Sequence, residues 1–216
     1  MNERDCLDEI NRRLKASGQW VFSRGWQQDP PSFKGARLAS ERLLAAFPDA
    51  KNILVMRYAV LRVLRELILE RDLGLVVPEK TGAAVFTIPR SALFDPSGVR
   101  TTESLAIHPP PAGSTLYAGR VDVVVTGCLG FNPDERCLYA LDDERGAYLV
   151  EEWRDGLPNG FRLLPDTPVV AIAADEQEVQ GWPACAQSYL QADSVFTPTR
   201  TVRLGNLQHQ PKGYDL

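Results

Sequence analysis

The sequence is short of the residues from which metal sites and disulfide frameworks are built. It has two histidines, His108 and His209, and four cysteines, Cys6, Cys128, Cys137 and Cys185, with no CxxC spacing among them. No zinc constellation follows from such a set. The four thiols read as reduced cysteines of a cytoplasmic protein. Long apolar runs are also missing. The longest extend for about six residues, far short of the roughly 20 that cross a bilayer. The opening MNERDCLDEINRRLK is charged throughout and lacks the apolar centre of a signal peptide. Basic charge is not in excess either: the formal net charge is −4, which argues against a protein that grips nucleic acid by neutralising phosphates. The expectation is a soluble, cytoplasmic protein with a small-molecule partner and neither nucleic acid nor membrane as ligand.

What is present suits a folded domain. Apolar residues make up 44% of 216, which excludes a mainly disordered chain. A chain of this length buries about 70% of the surface its unfolded form exposes, so it needs no disulfide or metal staple. Residues 2–17 predict a helix with Leu7, Ile10 and Leu14 on one stripe. Ala36 to Phe47 predicts a second, with Ala39, Leu43, Leu44 and Phe47 on one side and Pro48 as its stop. Val60, Val63, Leu64, Leu67 and Ile68 recur at helical spacing, with Arg62, Arg65, Glu66 and Glu70 expected to face water. Glu144 to Trp153 predicts another helix, ended by the Gly156 to Gly160 breaker.

Between these lie short apolar segments: Asn52 to Met56, Leu75 to Pro78, Ala84 to Ile88, Val121 to Thr126, Thr167 to Ala173 and Ser194 to Phe196. Val121 to Thr126 is a nearly unbroken β-branched run, as in a strand buried on both faces of a parallel sheet. The stretch from Phe94 to Arg120, with Pro109, Pro110 and Pro111 at its centre, reads as a connecting segment. Alternating strands and helices imply an α/β fold, a three-layer α/β/α sandwich on a mostly parallel sheet. One domain over 1–204 and a polar tail over 205–216 are expected.

Ligands of such sheets sit beyond the carboxyl ends of the strands. That selects the loops after Met56, Thr126, Ala173 and Phe196. Gly127 and Cys128 open the second of these, and Gly130 follows. This pattern is either a plain turn or a place where backbone approaches a ligand. Asp175 and Glu176 follow the third strand and read either as a solvated acidic turn or as carboxylates that hold a ligand amine or cation. Thr197 begins the fourth loop, at an X-Pro turn. Lys34 sits between a Pro-rich loop and a helix start, where a surface lysine and an anion contact are both open readings. Cys128 has no histidine near it in sequence and reads as an unreactive thiol.

In serial order these segments resemble the 5-formyltetrahydrofolate cyclo-ligase (methenyltetrahydrofolate synthetase) family, nearest its methenyltetrahydrofolate-synthetase-domain branch. Pro31-Ser32-Phe33-Lys34-Gly35-Ala36 resembles that branch's I-P-N-F-K-G-A. Val121-Asp122-Val123-Val124-Val125-Thr126-Gly127-Cys128 resembles V-D-L-V-V-x-G-S. Pro168-Val169-Val170 followed by Asp175 and Gln177 resembles T-P-V-V…D-x-Q. Ala192-Asp193-Ser194-Val195-Phe196-Thr197-Pro198-Thr199 resembles V-D-L-I-V-T-P-T. The order holds across about residues 10–203.

The resemblance implies the fold shared with ribose-5-phosphate isomerase and CoA transferases. It implies ATP and magnesium as cofactors, a folate as substrate, and closure of 5-formyltetrahydrofolate to methenyltetrahydrofolate. Two departures stand against the nucleotide. The family's R-x-G-K-G-G-G-Y-x-D loop is replaced by Arg136-Cys137-Leu138-Tyr139-Ala140-Leu141-Asp142-Asp143-Glu144-Arg145-Gly146-Ala147-Tyr148, which keeps one glycine and sets three carboxylates where phosphates would lie. The P-x-E-x-H-D turn is replaced by Pro183 to Ser188, PACAQS. The expectation is a divergent cyclo-ligase-like protein acting on a folate or other small molecule, or else a non-catalytic ligand-binding or regulatory protein on the same fold. Asp175 and Glu176 are the catalytic candidates. Lys34, Gly127, Cys128, Arg136, Arg145, Gln177 and Thr197 are the ligand contacts, and no metal ligands are assigned.

Overall fold

The computed structural model describes residues 3–21, 31–79, 82–93, 113–139, 144–180 and 192–204, with the side chains of 3, 4, 6, 7, 92, 93 and 144–148 left aside. The connecting segment over 94–112, the acidic stretch at 140–143, the PACAQS stretch and the tail over 205–216 lie outside the described residues.

The apolar β-branched segments of the sheet's centre become strands because each is buried against the layers beside it, while the short outer strands Thr115–Leu116 and Thr201–Arg203 stay largely exposed. In chain order they are β1 (Asn52–Val55), β2 (Gly74–Pro78), β3 (Val85–Ile88), β4 (Thr115–Leu116), β5 (Val123–Gly127), β6 (Gly130–Asn132), β7 (Cys137–Tyr139), β8 (Val169–Ile172), β9 (Ser194–Phe196) and β10 (Thr201–Arg203). Eight of them form one sheet in the order β10-β9-β8-β5-β1-β2-β3-β4, while β6 and β7 pair as a separate hairpin. The central neighbours β9, β8, β5, β1 and β2 run parallel. The edges are antiparallel: β10 on β9, and β3 and β4 beyond β2. All five residues of β5 are buried, as its unbroken apolar pattern predicts.

The helices are α1 (Glu3–Ala16), α2 (Ala36–Ala46), α3 (Arg62–Glu70) and α4 (Glu144–Asp155). The result is a three-layer α/β/α arrangement on a mostly parallel sheet. The α2 helix buries Ala36, Ala39, Ser40, Leu43 and Leu44 and packs against α3 and the β8–β9 end of the sheet. Phe47 beside it meets Phe196 of β9 edge to face at 6.1 Å. On the other side of β8 and β9, Ala171, Ala173 and Val195 pack with Phe131 and Leu138 of the hairpin. The pleat thus sends alternate residues of one strand into two separate cores. Trp153 of α4 is buried, donates from Nε1 to the Gly82 carbonyl at 3.0 Å, and meets Phe161 edge to face.

Two aspartates secure the amino edge of the sheet. Asp122 Oδ2 accepts from the amides of Lys51 and Asn52 at 2.9 and 3.0 Å. Asp193 Oδ2 accepts from the Val169 amide at 2.9 Å. Each carboxylate stands just ahead of its own strand and satisfies an orphan donor of the neighbouring one. The aspartates of the V-D and A-D segments therefore hold register at the edge opposite the loops selected above.

The expectation for Arg65 is corrected. Instead of facing water it is fully buried, and its Nη1 donates to the carbonyls of Met56 and Tyr58 at 3.0 and 3.1 Å. A 3-10 turn over Ala59–Leu61 precedes α3 and folds the chain so that the helix lies over the end of β1. A buried guanidinium is tolerated only where carbonyls or carboxylates receive its donors.

Candidate functional site

Strand order reverses at β1. From β1 the chain steps to β2 on one side, then crosses to β5 on the other and continues through β8 to β9. A crevice opens at such a reversal, beyond the carboxyl ends of the two diverging strands. Here those ends belong to β1 and β5. Pairing continues past β1, since the Met56 amide donates to the Val125 carbonyl at 2.9 Å. Val55 pairs with Val125 and Leu54 with Val76, and Arg57 follows two residues beyond the end of β1. Gly127 pairs with Ile172, and Ile172 with Phe196. Arg57, Gly127, Ile172 and Phe196 thus mark one edge, and each leads into one of the four selected loops.

The loops are tied to one another by buried hydrogen bonds. Gln177 lies in a short 3-10 turn over Asp175–Gln177. Its Oε1 accepts from the Ala174 amide at 2.7 Å, and its Nε2 donates to the carbonyls of Cys128 and Leu129 at 2.6 and 3.1 Å. Its amide is engaged with backbone on both sides, and it holds the β5 and β8 loops at a fixed separation. The Val179 amide donates to Phe131 at 3.0 Å, which docks the β6–β7 hairpin beside the same turn.

Asp175 is engaged as firmly. Its Oδ1 accepts from the hydroxyls of Thr197 and Thr199, both at 2.6 Å, and lies 3.8 Å from Arg200 Nε. Arg200 also pairs with Glu178. Thr197 Oγ1 in turn accepts from the Arg200 amide at 3.1 Å. Arg42 of α2 donates to the carbonyls of Thr197 and Pro198 at 3.3 and 3.1 Å. The β9 loop is therefore a rigid turn, braced from the β8 loop and from α2.

Lys34 is exposed and precedes α2. Its segment is fixed by two bonds: its own amide donates to the Gln19 carbonyl at 2.8 Å, and the Gly35 amide donates to Gln19 Oε1 at 3.0 Å. A Cβ on Gly35 would stand 2.4 Å from Pro198 Cγ. The glycine of the F-K-G segment is required by this close approach to the β9 loop. The sequence candidates Lys34, Asp175, Gln177, Thr197, Gly127 and Cys128 thus gather on one end of the sheet, with Glu176 half-buried among them. Arg136 is exposed in the hairpin turn, with φ +56. Arg145 lies in α4, with its side chain outside the described residues.

Cys128 is buried, and burial alone pushes its thiol far above the range in which a thiolate forms. Burial likewise raises Cys137 and Tyr139, and Tyr139 donates to Glu135 Oε2 at 2.6 Å. None of the three is a nucleophile at neutral pH.

Among the described residues the donors at this edge do not fit a magnesium ion. Asp175 and Glu178 are already held by hydroxyls and by Arg200. Among the described residues no cluster of three or more His, Cys, Asp or Glu side chains could hold a metal ion. No step through ATP or magnesium is derived from this site.

The chain matches no protein-family model and no curated protein sequence. The sequence selects the loop after Met56 but no side chain in it. Arg57, Arg65 and Glu79 are the residues it missed. The available signal was Arg57 itself, a cation placed directly after an apolar strand of a parallel sheet.

Proposed function

We propose that this chain is a divergent cyclo-ligase-like protein that binds a small anionic molecule, a folate or a compound of similar charge, at the carboxyl edge of its sheet. The observation that carries this is that the loops after β1, β5, β8 and β9 all leave the sheet at one edge, beside the strand-order reversal at β1. Gln177 holds the β5 and β8 loops together and Asp175 holds the β8 and β9 loops together, so this edge is pre-formed rather than assembled on binding. The order of the F-K-G, V-D-V-V-V-T-G, D-x-Q and T-P-T segments supports the folate side of the reading.

A second reading, a ligand-binding or regulatory protein without chemistry, has its own support. The catalytic candidate Asp175 is held by two threonine hydroxyls, and the Cys128 thiol stays protonated. The thiol is no base or nucleophile at neutral pH, and Asp175 Oδ1 is engaged in holding the β9 loop.

Calorimetric titration of the full chain with 5-formyltetrahydrofolate and, separately, with ATP–magnesium decides between them. Absorbance of the methenyl product is then followed with both present. Folate binding without nucleotide binding is the expected result. Product formation would make the chain a working cyclo-ligase, and failure of the folate to bind would remove the folate reading.

A further inference from the structure

We propose that the outer edge of β4 docks a second copy of this chain, the two β4 strands pairing antiparallel about a two-fold axis at Leu116.

Hydrogen bonding supports it first. β4 closes one side of the eight-stranded sheet, beside β3. The Tyr117 amide donates to the Val85 carbonyl at 2.9 Å, and Leu116 stands opposite Phe86 in the next pair. Inward and outward groups alternate along an antiparallel ladder, so the amide and the carbonyl of Leu116 both point away from β3. Among the described residues neither has a backbone partner. Leu116 is also 62% exposed. An edge residue that turns one donor and one acceptor outward is matched by its own copy. Across a two-fold axis each Leu116 gives its amide to the other's carbonyl.

Charge supports it second and selects the occupant. Sheet edges are ordinarily guarded by charge or by proline. The opposite edge, β10, carries the exposed Arg203. From Gly113 to Gly119 the β4 stretch reads GSTLYAG, with neither a charge nor a proline. It offers no counter-charge to an acidic or a basic strand, whereas the same neutral stretch of a second copy lies along it without burying a charge. The two ends complete the match. Gly113 packs against Pro89, and Arg90 beside it pairs with Asp72 at 3.5 Å. Beyond the other end Arg120 pairs with Asp122 at 3.6 Å. Antiparallel pairing sets the start of one β4 near the end of the other. Each arginine–aspartate pair then faces another such pair and not a patch of like charge.

Rigidity supports it third. The Tyr117 ring lies 6.3 Å from that of Phe161, and its hydroxyl donates to the Arg120 carbonyl at 2.6 Å. The strand is thus held extended before a partner arrives, which lowers the cost of docking. One short edge buries less than the roughly 1,200 Å² of a stable complex. The dimer is therefore weak, with a dissociation constant on the order of 10–100 μM.

The test follows the full chain by sedimentation velocity from about 5 to about 500 μM. The wild type passes from monomer to dimer across this range. Leu116→Pro removes an outward amide and leaves the bonds to β3, and it raises the dissociation constant by more than about tenfold. Leu116→Lys sets two like charges beside the axis and does the same, which keeps the question answerable if the proline variant does not fold. Thr201→Lys, on the β10 edge, leaves association unchanged. Leu116→Cys under mild oxidation gives a covalent dimer joined through the two introduced thiols, because the Cα atoms of such a pair lie about 5.5 Å apart.

A wild type that stays monomeric throughout the range overturns the proposal. So does a dimer that survives both Leu116→Pro and Leu116→Lys, one that Thr201→Lys abolishes, or a Leu116→Cys dimer with no disulfide at that position. A monomeric wild type whose edge binds a synthetic peptide of the Gly113–Gly119 sequence would give the edge to another extended chain and rule out the second copy.

Discussion

Asp175 Oδ1 and Thr197 Oγ1 lie 2.6 Å apart, and Thr199 Oγ1 donates to the same oxygen at the same distance. The carboxylate picked out as a catalytic candidate therefore ties the β8 loop to the β9 loop. Hydrogen bonds to a charged acceptor contribute about 1.5–3 kcal/mol each. Because the carboxylate is partly exposed, the two together are worth less than their sum, and Asp175→Ala is expected to destabilise the fold by about 2 kcal/mol, read as a lower urea midpoint at unchanged slope. An unchanged midpoint would show that the carboxylate is not structural.

Gln177→Ala removes an acceptor from the Ala174 amide and a donor from the carbonyls of Cys128 and Leu129, all at a buried site. Leaving such groups unsatisfied costs about 1–3 kcal/mol apiece, so a loss of at least about 3 kcal/mol is expected. Hydrogen exchange at the Ala174 amide should accelerate alongside it. A stable variant with a slow Ala174 amide would contradict the stitching role.

Gly35→Ala tests the close approach of the Lys34 segment to the β9 loop. The backbone there has φ −75, which alanine adopts freely, so any effect comes from the contact with Pro198. A proline ring cannot swing aside, and overpacking of this kind costs about 1–3 kcal/mol. The melting temperature falls if the contact is as tight as described and stays the same if the loop yields.

Cys128 titrates far above its unfolded value because of burial. The unfolded thiol releases its proton from about pH 8.5 while the folded one retains it. The unfolded state therefore binds fewer protons, and stability falls as pH rises beyond that point, by up to about 1.4 kcal/mol per pH unit for this group. Cys137 and Tyr139 shift in the same direction and add to the decline. Cys128→Ala should flatten the alkaline limb measured by urea unfolding between pH 8 and 10. A thiol reagent should label Cys128 in the native protein at pH 8 only as fast as the protein opens.

Periodicity revealed the strands that carry the sheet. Val123 to Thr126 and Val169 to Ile172 were legible because burial on both faces demands unbroken apolar runs. The short edge strands were not. Thr115–Leu116, Thr201–Arg203 and the β6–β7 hairpin run two or three residues each, too few for a period to show. The collection of Gly127, Asp175, Gln177 and Thr197 at one end was foreseeable from strand order alone, because parallel strands place every following loop on the same edge, whereas Lys34, which follows no strand of the sheet, is brought there by the close approach of Gly35 to Pro198.

The sequence by itself determined the α/β class, the parallel centre and the shared edge at which the loops after β1, β5, β8 and β9 leave the sheet, since these follow from local pattern and chain order. Only tertiary structure decided what each polar side chain does there. Arg65 carries the spacing of an exposed helix face, yet it lies buried under the loop after β1. Asp175 follows a strand like a reactive carboxylate, yet it is held by two threonines. A charged side chain's partners come from segments distant along the chain, such as Thr197 for Asp175. No local pattern encodes which of those segments the fold will bring within hydrogen-bond reach.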